Sequence, residues 1–389
     1  MYLEKLHLTN YRNYEKLSKN FSSQINILVG ANAQGKTNLL EAIYYLAIGK
    51  AYRAVRDIQL TRWEQNHFII SGEIQNKMGS CNVAVFFQQP AESGGSAGQN
   101  TRVMGSKGRK EIKINGLKVR KMADFLGNLT AVLFAPEDLN IVKGAPIERR
   151  RLLDNDISQV SPSYYAQLQQ YQKVLIQRNH LLKRIHEREK GLDELEIWDL
   201  QFLKLSEEII QKRLQVLEKL SPLTRLMQRK LTKGKENLEF KYYFNRKREL
   251  KIGNPIKEIL VQEMEQVKKE EIARGMTLWG PHRDDLIISL NSLDLKLYGS
   301  QGQHRTAVLA IKLAELEFFK SESGEYPILL LDDVLSELDL ERREHLIKIV
   351  QEKMIQCFIT TTEDLSFLWN DHSKIASYHV EKGTLQEYV

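Results

Sequence analysis

The segment that most constrains this chain is Gly30-Ala31-Asn32-Ala33-Gln34-Gly35-Lys36-Thr37, which fits the pattern G-x-x-x-x-G-K-[ST] without deviation. It follows the apolar run Ile25–Val29 and precedes a stretch with Leu39, Leu40, Ile43, Leu46 and Ala47 on one helical face. A strand, a glycine-bearing loop and a helix in that order make a phosphate cradle. The glycines let the backbone curl so that successive N–H groups point inward, and the helix brings the positive end of its dipole to the same anion. Gly30 through Thr37 are therefore expected to hold ATP. Lys36 is placed to reach the β- and γ-phosphates and to act in catalysis, and Thr37 to put its hydroxyl on Mg²⁺.

The other half of such a site needs an acid at the end of a buried strand, and Ile328-Leu-Leu-Leu331-Asp332-Asp333 provides it. Asp332 is expected to support Mg²⁺, and Asp333 to orient or deprotonate the attacking water. Two polar segments frame this strand. Ser300-Gln301-Gly302-Gln303 opens a helix about 30 residues upstream of Asp332 and resembles the S-G-G-Q signature of ABC ATPases, with Gln301 in place of the first glycine. Ser336-Glu-Leu-Asp339 follows the acids and resembles the ABC D-loop, with Ser336 and Asp339 as its polar members.

Strand-like patterning recurs at Leu3–Leu8, Phe68–Ile74 and Cys81–Phe87. Residues 91–110 are rich in Gly and Ser and read as a hairpin tip, and Asn115-Gly116 signals a tight turn. The middle of the chain changes character. Tyr164, Leu168, Tyr171, Leu175, Leu182 and Ile185 recur at helical spacing after Ser161-Pro162. A second stripe, Leu195 to Val216, follows Gly191, and Ser221-Pro222 and Asn254-Pro255 each read as opening a further helix. Two amphipathic helices joined by a short break suggest an antiparallel arm. Alternating α/β patterning returns in the last third. The expectation is an α/β P-loop NTPase of ABC-head type with mixed sheets, built discontinuously from residues 1–134 and 277–389, with a helical arm or second lobe at 135–276.

The charge lies mostly in that insertion. Between Val160 and Gly275 there are 24 Lys and Arg against 17 Asp and Glu, a surplus of seven that equals the net +7 of the whole chain. Arg225, Arg229, Lys230, Lys233 and Lys235 form one basic cluster; Arg246, Lys247 and Arg248, beside Tyr242 and Tyr243, form another. Such clusters suit nucleic-acid phosphates, and the aromatics suit stacking on single strands. The composition, 42% hydrophobic and 28% charged, is that of a globular protein, and no apolar run reaches membrane-spanning length. Two cysteines, Cys81 and Cys357, give no disulfide framework and fit a reducing cytoplasm.

Taken together with Tyr11-Arg-Asn-Tyr14, Phe134-Ala-Pro-Glu-Asp-Leu139, Pro146-Ile-Glu-Arg-Arg-Arg151 and Gly280-Pro-His-Arg-Asp-Asp-Leu286, these motifs resemble the RecF family over nearly the whole chain. The resemblance implies an ABC-type head related to chromosome-maintenance ATPases. It implies ATP-dependent head-to-tail homodimerisation, in which Ser300, Gln301, Gly302 and Gln303 of one copy meet the nucleotide of the other. It further implies slow hydrolysis used as a switch and binding to DNA, single-stranded, duplex or gapped. RecO and RecR would be partners in loading RecA, with roles in DNA replication and the SOS response. Two positions depart from the usual ABC pattern: Asp333 stands where most carry Glu, and Ile359-Thr-Thr-Thr362 stands where transporters carry a His. Glu137 and Asp138 are candidates for the Q-loop position, and Arg53 and Arg56 for further nucleotide contacts. A transporter ATPase subunit, a small-molecule P-loop kinase and a non-hydrolysing nucleotide sensor are the competing readings of the P-loop alone.

Overall fold

The computed structural model describes residues 1–53, 56–90, 108–187, 191–363 and 375–388. Most of the expected hairpin tip at 91–110 lies outside them. The chain divides into two compact units, Met1–Pro136 with Phe319–Val389, and Glu137–Phe318.

The first unit is built on two sheets. One holds six strands in the order Thr384–Tyr388, Ile375–Glu381, Ile25–Val29, Cys357–Thr361, Ile328–Asp332, Ala131–Phe134. All its neighbours are parallel except the C-terminal hairpin Ile375–Glu381/Thr384–Tyr388. Its central strands are buried on both faces, which is why they read as continuous apolar runs; Ile328 to Leu331 are at most 1% exposed. The second sheet is antiparallel, and four of its six strands are Tyr14–Asn20, Tyr2–Tyr11, His67–Asn76 and Gly79–Gln88, neighbours in that order. His67–Asn76 alternates buried and half-buried residues, as a sheet with one face on a core requires. The helix Lys36–Ile48, bounded as the sequence predicted, is apolar nearly all round and ends on Gly49 in the left-handed conformation.

The second unit carries the arm, Pro162–His186 and Leu192–Leu231, in close antiparallel contact. Here the expectation at Ser221-Pro222 is corrected. Pro222 does not open a helix but lies inside one of 40 residues. The missing N–H costs one hydrogen bond, yet Leu217, Leu220, Thr224 and Met227 continue one buried stripe across it. The Thr224 hydroxyl also donates to the carbonyl of Leu220.

The unit is also less purely helical than expected. Leu238–Phe244 pairs with Arg248–Leu250 on one side and Asp285–Leu290 on the other, within a four-stranded sheet. That pairing explains why residues 277–318 group with the second unit, whereas the sequence placed the return to the head at 277.

Buried charge holds this unit in register. Arg178, fully buried, donates to Asp199, to both oxygens of Glu271 and to Thr277. Arg213 makes a two-pronged contact with Asp154. A third cluster, Asp138, Asp156, Lys312 and Glu315, holds three carboxyls against one ammonium, all buried. Burial, reinforced by Asp138 and opposed by Lys312, pushes Glu315 from 4.5 up to about 7. The folded chain thus keeps a proton that the unfolded chain releases between those values. Stability therefore falls as pH rises through that window. Glu315→Gln is expected to flatten the decline, read as melting midpoint against pH. Asp138 is taken up by this cluster, so the structure gives no support to its assignment as a Q-loop residue.

Candidate nucleotide site

The nucleotide site forms where three neighbouring parallel strands end together. The pairings Thr361↔Val29 and Thr360↔Asp332 bring the start of the P-loop, the Thr360–Thr361 pair and the Asp332–Asp333 pair to one edge, the carboxyl end of the sheet. Beyond Val29 the loop alternates in hand: Ala33 (φ 64°) and Gly35 (φ 115°) are left-handed, as a nest of inward N–H groups requires. Gly30 has a separate reason to be glycine, because a Cβ there would sit 2.4 Å from the carbonyl oxygen of Val380. Ala31, Asn32 and Ala33 form the exposed crown of the loop.

The Lys36 ammonium folds back over the loop and donates to the carbonyls of Gly30 (2.6 Å) and Ala31 (2.9 Å). Burial lowers its pKa, and the carboxylates of Asp333 and Asp332 oppose that shift. The lysine is thus held by groups that a phosphate oxygen can replace. Thr37 donates to Asp332 Oδ1 at 2.7 Å, Thr360 to the same oxygen at 2.9 Å, and Arg53 to Asp332 Oδ2 at 3.0 Å. The Thr37 hydroxyl and the Asp332 carboxylate are hard oxygen donors of the kind Mg²⁺ takes when phosphates complete its shell. Among the described residues no group of three or more His, Cys, Asp or Glu stands ready to hold a metal.

Asp333 is exposed and left-handed (φ 56°), one residue past the end of the strand that carries Asp332. Its backbone N–H donates to Thr360, and Ser336 donates to its carbonyl at 2.7 Å and to its carboxylate at 3.3 Å. Asp339 caps the helix Leu340–Glu352 by accepting from the N–H of Arg342. Thr360 therefore ties the two acids together, a role the sequence left open for the threonine run. Thr360→Val is expected to slow hydrolysis about fivefold, the worth of one such bond, with ATP affinity unchanged within about twofold. Single-turnover hydrolysis at saturating Mg·ATP measures it. Arg53 thus stands against Asp332; Arg56 is exposed, and its N–H donates to Gln59.

In the second unit, Ser300 and Gln303 form a reciprocal capping box. Ser300 N–H donates to Gln303 Oε1 and Gln303 N–H to Ser300 Oγ, at the start of the helix Gln301–Ser323. Ser300, Gln301 and Gly302 are exposed, so the loop presents a hydroxyl and a helix N-terminus to solvent. The Gln303 amide is taken up by Glu236 (2.9 Å), which ties it to its own unit.

The basic clusters are separated by their strand. Arg225, Arg229, Lys230, Lys233 and Lys235 lie before Leu238–Phe244, and Arg246, Lys247 and Arg248 follow it. A seven-residue strand puts the two about 20 Å apart. Arg225 pairs with Glu239 and Lys247 with Glu263. Tyr242 is corrected: it is buried, its hydroxyl donating to Asp284, so it is no stacking platform.

Fold and site together define a P-loop ATPase head of the ABC type. The chain matches the family model described as RecF/RecN/SMC N terminal domain over residues 2–386. It belongs to that family, and within it to the RecF proteins. It is 40% identical over 389 residues to the DNA replication and repair protein RecF of Halalkalibacterium halodurans, covering 100% of both chains. It is 41% identical over 391 residues to that of Bacillus thuringiensis (strain Al Hakam), covering 99% of this chain and 98% of that one. The solved structure of "the recombination mediator protein RecF-ATP in RecFOR pathway" superposes with a TM-score of 0.88 at 33% identity, covering 100% of this chain and 98% of that one. An Smc head domain derived from Pyrococcus furiosus, at 17% identity and TM-score 0.54 over 100% and 96%, shares the fold.

Proposed function

We propose that this chain is an ATP-switched DNA-binding protein of recombinational repair. Mg·ATP binds between the P-loop and Asp332, and a second copy closes over it head to tail with its own Ser300 loop. DNA is held by the closed dimer, and slow hydrolysis through Asp333 resets it. The observation that carries this reading is the meeting of Thr37 with Asp332 at 2.7 Å while the signature-like loop Ser300–Gly302 faces solvent. A lone chain so built has half of an ABC site at each of two places. Gln303 serves the dimer by fixing its loop rather than by touching nucleotide. Relatives named for DNA replication and repair, and a solved recombination mediator of a RecFOR pathway, support a role in repair with RecO and RecR. Loading of RecA at gaps, participation in the SOS response and a place in the cytoplasm belong to the same proposal. No helix among the described residues is long and apolar enough to cross a membrane.

The test is DNA binding with and without Mg·ATP on gapped, duplex and single-stranded substrates across a salt series. ATP is expected to strengthen binding, and affinity to fall steeply with salt as phosphate-bound counterions are released. Removing Arg246, Lys247 and Arg248 together is expected to reduce the log–log salt slope by about three units. An unchanged slope would take that cluster out of the interface.

A further inference from the structure

The turn Tyr11-Arg-Asn-Tyr14 packs on the outside of the P-loop. Asn13 donates from Nδ2 to the carbonyl of Gln34 at 2.8 Å, and Tyr14 donates from its hydroxyl to the carbonyl of Gly35 at 3.1 Å. The first of these carbonyls also accepts from the N–H of Gly383 (3.1 Å), and the second from the N–H of Leu39 (3.1 Å). The turn of the C-terminal hairpin adds a bond from the N–H of Lys382 to Gln34 Oε1 at 2.8 Å.

Peptide planarity turns these outer contacts into an inner consequence. In a trans peptide the C=O of one residue and the N–H of the next point in opposite directions. Holding the carbonyls of Gln34 and Gly35 outward therefore aims the N–H groups of Gly35 and Lys36 into the loop, where a phosphate sits. We propose that Asn13 and Tyr14 are positioning residues for the triphosphate: they fix these two peptide planes before nucleotide arrives. The inference rests on the ATP reading given above.

Asn13 is itself held in place. Asn38 donates to its Oδ1 at 2.9 Å, and Arg62 to its backbone carbonyl at 3.0 Å. Next to it, Arg12 is pinned by two bonds to Glu41 on the P-loop helix. The approach is close enough that a side chain at position 35 would have to displace the Asn13 amide. A Cβ on Gly35 would lie 2.4 Å from Asn13 Nδ2, and the φ of 115° would strain it further. The second glycine of the P-loop is thus required by the outer clamp as well as by phosphate.

A pre-aimed loop binds more tightly because less ordering remains to be done on binding. The test compares Asn13→Ala and Tyr14→Phe with the unaltered full-length chain, by calorimetric titration with Mg·ATP, single-turnover hydrolysis and nucleotide-free melting. Tyr14→Phe keeps the buried ring and loses only the hydroxyl. Each variant is expected to raise Kd about fivefold, one hydrogen bond's worth, with the hydrolysis rate at saturation within about twofold and the nucleotide-free melting midpoint lowered by no more than a few degrees. Kd values unchanged in both variants would overturn the proposal. So would lower melting and a lower saturated rate at unchanged Kd, the mark of a merely structural role. If Asn13→Ala fails to fold, Tyr14→Phe decides alone. If the unaltered chain does not bind Mg·ATP, the ATP reading falls first and the clamp with it; if it binds and the variants match it, only the clamp falls.

Discussion

Lys36→Ala is expected to weaken Mg·ATP binding at least about 100-fold and to abolish ATP-induced pairing at the same nucleotide concentration. The ammonium makes two short contacts with the loop carbonyls of Gly30 and Ala31, and these are contacts it can exchange for two phosphate oxygens. Charge-assisted bonds of that kind contribute about 1.5 kcal/mol or more each, and each 1.4 kcal/mol is tenfold in affinity. Alanine also leaves the two carbonyls without their donor and the triphosphate without its nearest cation. Titration with a fluorescent ATP analogue reads the first effect and sedimentation velocity the second. Near-normal affinity in the variant would show that the phosphates do not sit where the loop points.

Ser300→Arg is expected to separate the two events. Ser300 is exposed, so an arginine there meets no core, and it sits outside the unit that holds the P-loop. Intrinsic ATP affinity should remain within about twofold. The substitution removes the cap that accepts from Gln303 N–H, costing about 1 kcal/mol locally, and sets a bulky cation at the positive end of a helix. On the proposed reading that position meets the partner's nucleotide in the closed dimer, and closure should fail. The variant should sediment as a monomer with and without Mg·ATP, while the unaltered chain shifts. Normal pairing of the variant would refute the trans arrangement of the signature loop.

What the sequence made legible was local. The strand Ile25–Val29, the P-loop and the helix Lys36–Ile48 appear where the residues placed them, because their signals lie within 25 consecutive positions. Asp332 and Thr37 are 295 residues apart, yet both were identifiable, since each sits at the end of its own well-marked element. What escaped was mostly non-local. Leu238–Phe244 escaped although Leu238, Phe240, Tyr242 and Phe244 alternate as a strand does; what no local signal shows is its pairing with Asp285–Leu290, more than 40 residues on. Pro222 reads as a helix start, and only the buried stripe on both sides of it shows why the helix runs through. Thr360 binds Asp332 through a register between two strands that no spacing reveals. The clamp on the P-loop joins Asn13, Gln34 and Gly383, from three regions of the chain. Such a contact has no linear signature beyond the presence of a polar turn.

On the proposed reading, a triphosphate gripped by one chain is what a second copy closes upon. Sedimentation equilibrium of the unaltered chain, run with no nucleotide, with Mg·ADP and with Mg·ATP, tests this most directly. A predominantly monomeric species is expected in the first two conditions and a dimer in the third. A mass that stays the same in all three would contradict it.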